Sequence, residues 1–236
     1  MGLPKLQHPT FELTIPSTKQ TIRYRPFLVK EEKILLLAQE SKNIADMIVA
    51  VKQIINNCII EGKVDLDIAP SFDVEYMFLM LRANSISDVA KLRITDHETE
   101  KMIPIEVNLK EVQVKETEGH NKTIKINDDV TLEMRYPNYK DIQKMQESNA
   151  ESQFESTFGM IRACADKVYN GEEEVHSLKD YTDEEVNEFI DSFNTQNYQD
   201  VQNFFDTMPR LEHTVDYKVG KKMKQHTFVG MQSFFS

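Results

Sequence analysis

Apolar and polar residues alternate over Phe11–Ile15 and again over Thr21–Tyr24, the two-residue period of half-buried strands. The turn-forming run Pro16-Ser17-Thr18-Lys19-Gln20 between them predicts a β-hairpin, which Pro26 ends because it has no N–H for a ladder. The period then changes to that of a helix. Lys30–Glu40 is rich in helix formers, and Ile44, Met47, Ile48, Val51, Ile54, Ile55, Cys58 and Ile59 share one face of a second helix that Gly62 stops. After Pro70, Ser71 or Asp73 caps a third helix over Val74–Arg82, apolar nearly all round and therefore placed at the centre of the first core. Ile48, Val51, Ile55, Met77, Phe78 and Leu81 are expected to be buried.

Strands are predicted at Ala90–Thr95 and Ile103–Leu109 around the polar turn Asp96–Lys101, and at Thr123–Ile126 and Val130–Tyr136 around Asn127-Asp128-Asp129. Beyond Pro137 the helical period returns. Helices are expected over Asn138–Ser148, over Phe154–Val168 (Phe154, Phe158, Ile161, Ala165 and Val168 on one face), after the capping box Thr182-Asp183-Glu184-Glu185, and over Asn197–Thr207. A final hairpin pairs Thr214–Val219 with His226–Val229 across the polar residues 220–225. The expected class is α+β: an N-terminal β-hairpin on a three-helix group, a β-rich middle, an acidic helical segment and a C-terminal β-hairpin. The composition shift at Pro137 suggests a region 1–137 and an acidic helical region 138–236. With no linker-like stretch between them, the two are expected to pack together. No internal repeat is legible; the hairpins near residues 90–109 and 214–229 look alike in pattern only.

Charge sharpens this division. The net charge is −11, and residues 141–206 hold 16 acidic and 4 basic side chains, whereas the remainder holds 23 acidic and 24 basic. The acidic block reads as a solvated helical surface or as a docking face for a basic partner. It makes nucleic acid an unsuitable partner, since phosphate binding needs a net positive face. No apolar run approaches the roughly 20 residues of a membrane span, and residues 1–13 have no signal-like apolar core, so no membrane association is expected. Cys58 and Cys164, far apart and on or beside apolar helix stripes, read as buried thiols.

Catalytic patterns are missing. Seven glycines supply no phosphate loop and no nucleophile elbow, the six histidines have no metalloprotease spacing, and two cysteines cannot form a zinc ribbon. Asp96-His97-Glu98 and Glu172-Glu173-Glu174 read as solvated turns. Glu31 and Glu32, adjacent on a helix, diverge by about 100° and cannot face each other as an acid/base pair. No catalytic residue, cofactor or metal is assigned. Two features stand out as partner-binding candidates. Arg23 and Arg25, with Phe27, place two guanidinium groups at i, i+2 for bidentate bonds to Glu31, to Glu32, to the acidic block or to another subunit. Met231, Phe234 and Phe235 lie beside the last residue, where aromatics must dock on the chain's own core or in a neighbouring subunit.

The opening FELTIPSTKQTIRYRPFLVKEEKILLLAQES resembles the start of the T-even-type phage baseplate family. The resemblance continues through Ile54–Cys58, Phe72–Leu79 and Leu81–Ser85, and returns at Gly230–Phe235. It implies a hub subunit or hub-assembly factor of a contractile tail, working by docking to other tail and baseplate proteins, with self-association left open. It implies no enzymatic activity, and a location in the host cytoplasm during tail assembly and in the virion baseplate. Some relatives carry cysteine pairs in the hairpins near residues 95–102 and 217–226, implying a structural zinc; here those turns read TDHETEKM and YKVGKKMKQH. The competing readings are an adaptor or regulator unrelated to phage and a cell-wall hydrolase. From the charge balance, the purified protein should not shift duplex DNA in a mobility assay at physiological salt; tight, salt-sensitive binding would overturn this reading.

Overall fold

Several helix starts in this chain are set by side chains that accept otherwise free N–H groups, whereas the third helix starts after Pro70 with no side-chain cap, not with the Ser71 or Asp73 cap expected. Asn43 Oδ1 accepts the Ala45 N–H (2.8 Å). Thr182 and Glu185 cap each other's backbone N–H, as do Asn194 and Asn197. The computed structural model describes residue 4 and residues 6–147, 153–171 and 174–234. Its first elements are β1 (Phe11–Thr14), β2 (Thr21–Tyr24), α1 (Val29–Ser41), α2 (Ile44–Cys58), β3 (Ile59–Glu61) and α3 (Ser71–Ser85). There follow β4 (Val89–Thr95), β5 (Met102–Asn108), β6 (Gln113–Lys115), β7 (Thr123–Lys125), β8 (Val130–Met134), α4 (Tyr139–Glu147) and α5 (Gln153–Cys164). The last are β9 (Ala165–Asn170), β10 (Glu174–Ser177), α6 (Asp183–Asp191), α7 (Thr195–Thr207), β11 (Arg210–Val219) and β12 (Lys222–Val229). The α+β class read from the sequence holds.

The chain divides into two units, Met1–Lys115 with Arg210–Ser236, and Glu116–Pro209. Pro137, where the composition shifts, lies inside the second unit, and the C-terminal hairpin belongs to the first. In the first unit β1-β2-β3 form one antiparallel sheet, β4-β5 a long hairpin, and β12-β11-β6 a third sheet. Lys115 pairs with Arg210, so the two strands that bound the insertion are sheet neighbours. All six residues expected in the core are buried, and α3 packs against α2, β6 and β11. In the second unit the sheet order is β10-β9-β8-β7, and Leu132, Met134 and Val168 meet Ile161, Val186, Ile190, Val201 and Phe204 from the helices.

A single device is built twice. Where β2 ends, the Arg25 N–H bonds the Cys58 carbonyl (3.0 Å) and its guanidinium grips Glu31 with two bonds (3.0 and 3.2 Å) while reaching the Pro26 carbonyl (2.9 Å). Glu31 also accepts the Leu28 N–H (2.9 Å) at the start of α1. Where β8 ends, the Arg135 N–H bonds the Cys164 carbonyl (2.7 Å), and its guanidinium grips Asp141 (2.6 and 2.8 Å) and the Tyr136 carbonyl (3.3 Å). Asp141 accepts the Asn138 N–H (2.9 Å) at the start of α4. Each arginine is followed by two helices and then a strand that returns antiparallel to its own, with a register shift at the equivalent place, Arg23/Tyr24 and Glu133/Met134. The described residues of 11–61 and 123–170 thus share one arrangement, or module, a structural likeness that was not legible in the sequence. The sequences share little more than RPFLVKE and RYPNYKD, in which an arginine, a lysine and an acid hold the same places.

Other departures have local causes. The helix expected over Phe154–Val168 stops at Cys164, whose carbonyl serves Arg135; Ala165–Asn170 is instead β9, between β8 and β10. Tertiary pairing here overrides a helical period that these apolar residues satisfy equally well. The run Glu172-Glu173-Glu174 is no longer all turn, because Glu174 opens β10; Glu172 and Glu173 lie outside the described residues. The Phe154 side chain is likewise outside the description. The final hairpin turns in two residues, Gly220-Lys221, because Gly220 adopts φ 61°, so Lys222–Gln225 are strand and not loop. Glu31→Gln is expected to lower unfolding free energy by about 3 kcal/mol, since it leaves Arg25 facing a neutral partner in a buried site. The double change Arg25→Met with Glu31→Leu should cost less than the single one. Urea denaturation of the three proteins measures both, and a double variant less stable than the single would contradict the clamp's role.

Candidate functional site

The sequence candidates are placed by the first unit's own packing. Arg23, half-exposed on β2, bonds Glu61 on β3 (2.7 Å) and Thr10 (3.2 Å). Arg25 is the clamp residue, and its carboxylate is Glu31; Glu32 is exposed. Burial pushes the Glu31 carboxyl up, but the bonds from Arg25 and Leu28 outweigh it and hold Glu31 below the usual carboxylate range. Phe27 is buried and stacks on Phe78 with centroids 6.4 Å apart. Gly230, at φ 70°, turns the chain out of β12, the Met231 N–H bonds Glu75 (3.1 Å), and Phe234, 1% exposed, packs on Phe228. Phe235 lies outside the described residues. Arg25, Phe27 and Phe234 are thus engaged within this chain, and Arg23 and Met231 keep partial exposure.

Two polar clusters were not foreseen. The tips of the β4-β5 and β11-β12 hairpins meet at Asp96, which is 1% exposed and so is not the solvated turn residue the sequence suggested. Its carboxylate accepts from Lys224 Nζ (2.6 Å), Tyr217 (3.2 Å) and Thr99 (2.7 Å and 3.0 Å); Lys224 also pairs with Glu98 (3.0 Å). These bonds hold the Asp96 carboxyl well below its usual range. The turns are those in which the baseplate resemblance implied a zinc. The residues present do not fit one: an ammonium stands at the centre and no thiolate is available.

In the second unit His120 sits between Thr207 (Nδ1, 2.9 Å) and Tyr136 (Nε2, 3.0 Å), stacked on Tyr136 and tilted against Phe204. The Thr207 hydroxyl donates to the Asn203 carbonyl (2.6 Å), which can only accept. His120 Nδ1–H therefore donates to Thr207, and in the neutral imidazole Nε2 then accepts from the Tyr136 hydroxyl. Burial lowers the His120 pKa, with Lys122 assisting and Glu116 opposing, and the Tyr136 phenol is pushed up to about 12 by burial. The cysteine thiols, buried beside the clamp arginines, are raised to about 11 at Cys58 and about 12 at Cys164.

The geometry is that of a protein whose polar groups hold elements together, and the comparison with known families accords with it. Residues 8–236 match the family described as T4 bacteriophage base plate protein. The chain belongs to that family. No curated protein and no solved structure shows a significant match. As a baseplate protein it associates with other baseplate proteins, which draws attention to its exposed apolar surface. Val29, Leu36 and Leu37 on α1, Ile44 and Val49 on α2, and Ile60 on β3 are exposed. The sequence carried a signal of this: Ile34, Leu35, Leu36 and Leu37 are consecutive, and four consecutive helical residues sweep about 300° and cannot all face one core.

His120 gives a pH test. A histidine whose folded pKa is lowered contributes stability that is complete above the unfolded value, 6.5, and is lost as pH falls through the folded one. The thermal midpoint of the wild type should fall more steeply between pH 7.5 and pH 5, roughly the titration range of histidine, than that of His120→Gln. Equal slopes would show that His120 does not contribute to the pH dependence.

Proposed function

We propose that this baseplate protein acts by protein–protein docking, as a hub subunit or hub-assembly factor of a contractile tail, and that it is not an enzyme. The family match over nearly the whole chain carries the reading. The exposed apolar residues of α1 and α2 support it, because contiguous apolar surface on a soluble protein marks contact sites. The second unit supports it too: residues 116–209 hold 21 acidic and 8 basic side chains, a balance suited to a basic partner.

The non-enzymatic part rests on how the carboxyls are used. A hydrolase acid needs a raised pKa and an open approach to substrate. Asp73 is a carboxyl that burial raises, and both its oxygens are held by Ser17, one by the backbone N–H (3.0 Å) and one by the hydroxyl. Asp96, Glu31 and Glu185 are lowered by their hydrogen-bond donors.

Mass spectrometry of purified virions beside infected-cell lysate tests the reading and separates its two forms. A fixed copy number in virions is the outcome for a hub subunit. Presence in lysate, bound to tail proteins, with absence from virions is the outcome for an assembly factor. A protein absent from virions and bound to no tail protein in lysate would remove both.

A further inference from the structure

The α1 helix is anomalous for its own module. It spans Val29–Ser41 but buries only Glu31 and Ala38, leaving Val29 67%, Leu36 53% and Leu37 67% exposed. Ile44, the first residue of α2, is 52% exposed. The second module shows that the fold does not require this. Aligning Arg25 and Glu31 on Arg135 and Asp141 places Lys144 at Ile34 and Glu147 at Leu37. The same helix in the same module is thus polar at the places of Ile34, Leu36 and Leu37 (Lys144, Gln146 and Glu147), while Tyr139 and Met145 stand at Val29 and Leu35. The apolar residues of α1 therefore serve something outside the module.

The order of residues along this face identifies the occupant. Val29, Lys33, Leu36, Leu37 and Glu40 fall at i, i+4, i+7, i+8 and i+11, one stripe of the helix. Lys33 and Glu40 are exposed, and among the described residues neither is engaged in an ion pair within the chain. The stripe is self-complementary when reversed. A two-fold axis between Leu36 and Leu37 sets Leu36 against Leu37 of the partner subunit, and Lys33 against Glu40 of the partner subunit, with each contact occurring twice. A parallel arrangement would instead oppose Lys33 to its own copy and Glu40 to its own copy, which like charges disfavour.

We propose that the α1 face is a self-association surface, through which two copies of this chain pair antiparallel about Leu36 and Leu37 with Lys33–Glu40 ion pairs at either side. This is independent of whether the protein is a hub subunit or an assembly factor, since it concerns the chain's pairing with itself.

The test uses the full chain in sedimentation equilibrium across micromolar concentrations. The wild type should reach twice the 27.5 kDa chain mass. Leu37→Glu installs the residue type that the second module carries at this place, so it should fold with an unchanged circular dichroism spectrum and dimerise on the order of a hundredfold more weakly. Lys33→Glu and Glu40→Lys, both at exposed positions, should each weaken the dimer about tenfold or more, and combining them should restore it to within a few-fold of wild type. A wild type that stays at the single-chain mass overturns the proposal. So does a dimer indifferent to Leu37→Glu, or one in which the double charge exchange fails to rescue the single ones.

Discussion

The buried arginine–carboxylate clamp is the interaction on which both units depend. An unpaired guanidinium or carboxylate in a low-dielectric interior is strongly unfavourable, so each ion can be buried only with its partner in place. Glu31 has no exposed surface, and its bonds to Arg25 and to the Leu28 N–H tie a strand end to a helix start. The Arg25 N–H then fixes where α2 gives way to β3, through Cys58. Three junctions of the chain are set by one residue, and Arg135 sets the corresponding three in the second module. With three junctions tied to it, the clamp has little tolerance for relocation.

Around this fixed point the first unit is completed by residues distant in sequence. Leu211 and Phe228, on the last two strands, and Phe234 beyond them are core residues, and Lys224 is the counterion of Asp96. The hairpin tips are joined by a buried carboxylate and an ammonium, a polar solution that needs complementary groups and no metal ligand set. Phe234 is likewise internal, and a fully buried phenylalanine stabilises by roughly 1.5–3 kcal/mol.

The two modules differ most on their outward helices, and that difference bears on function. Because neither helix face enters its module's core, one can stay polar while the other carries apolar residues. For a member of a phage baseplate family, the residues that bear on the proposed docking are those the fold does not need: Leu36 and Leu37 more than Phe27 or Arg25.

Much of the architecture was determined by sequence alone. Period two and period 3.6 are local properties, so the N-terminal hairpin, α2, the β4-β5 hairpin and the Thr182 cap were legible without a fold. The baseplate resemblance was legible too, in motifs close together in the chain. What only tertiary structure decided is whatever depends on pairing at long range. Ala165–Asn170 has a helical period, and became a strand because β8 and β10 lie on either side of it. Asp96 lies in a polar turn, and became a buried ion because Lys224, more than a hundred residues away, meets it. The likeness of the two modules was hidden because what they share is a set of backbone and carboxylate contacts, which three residue types in seven satisfy. Side-chain partnership is a property of space, and a linear pattern records it only where the partners are neighbours in the chain.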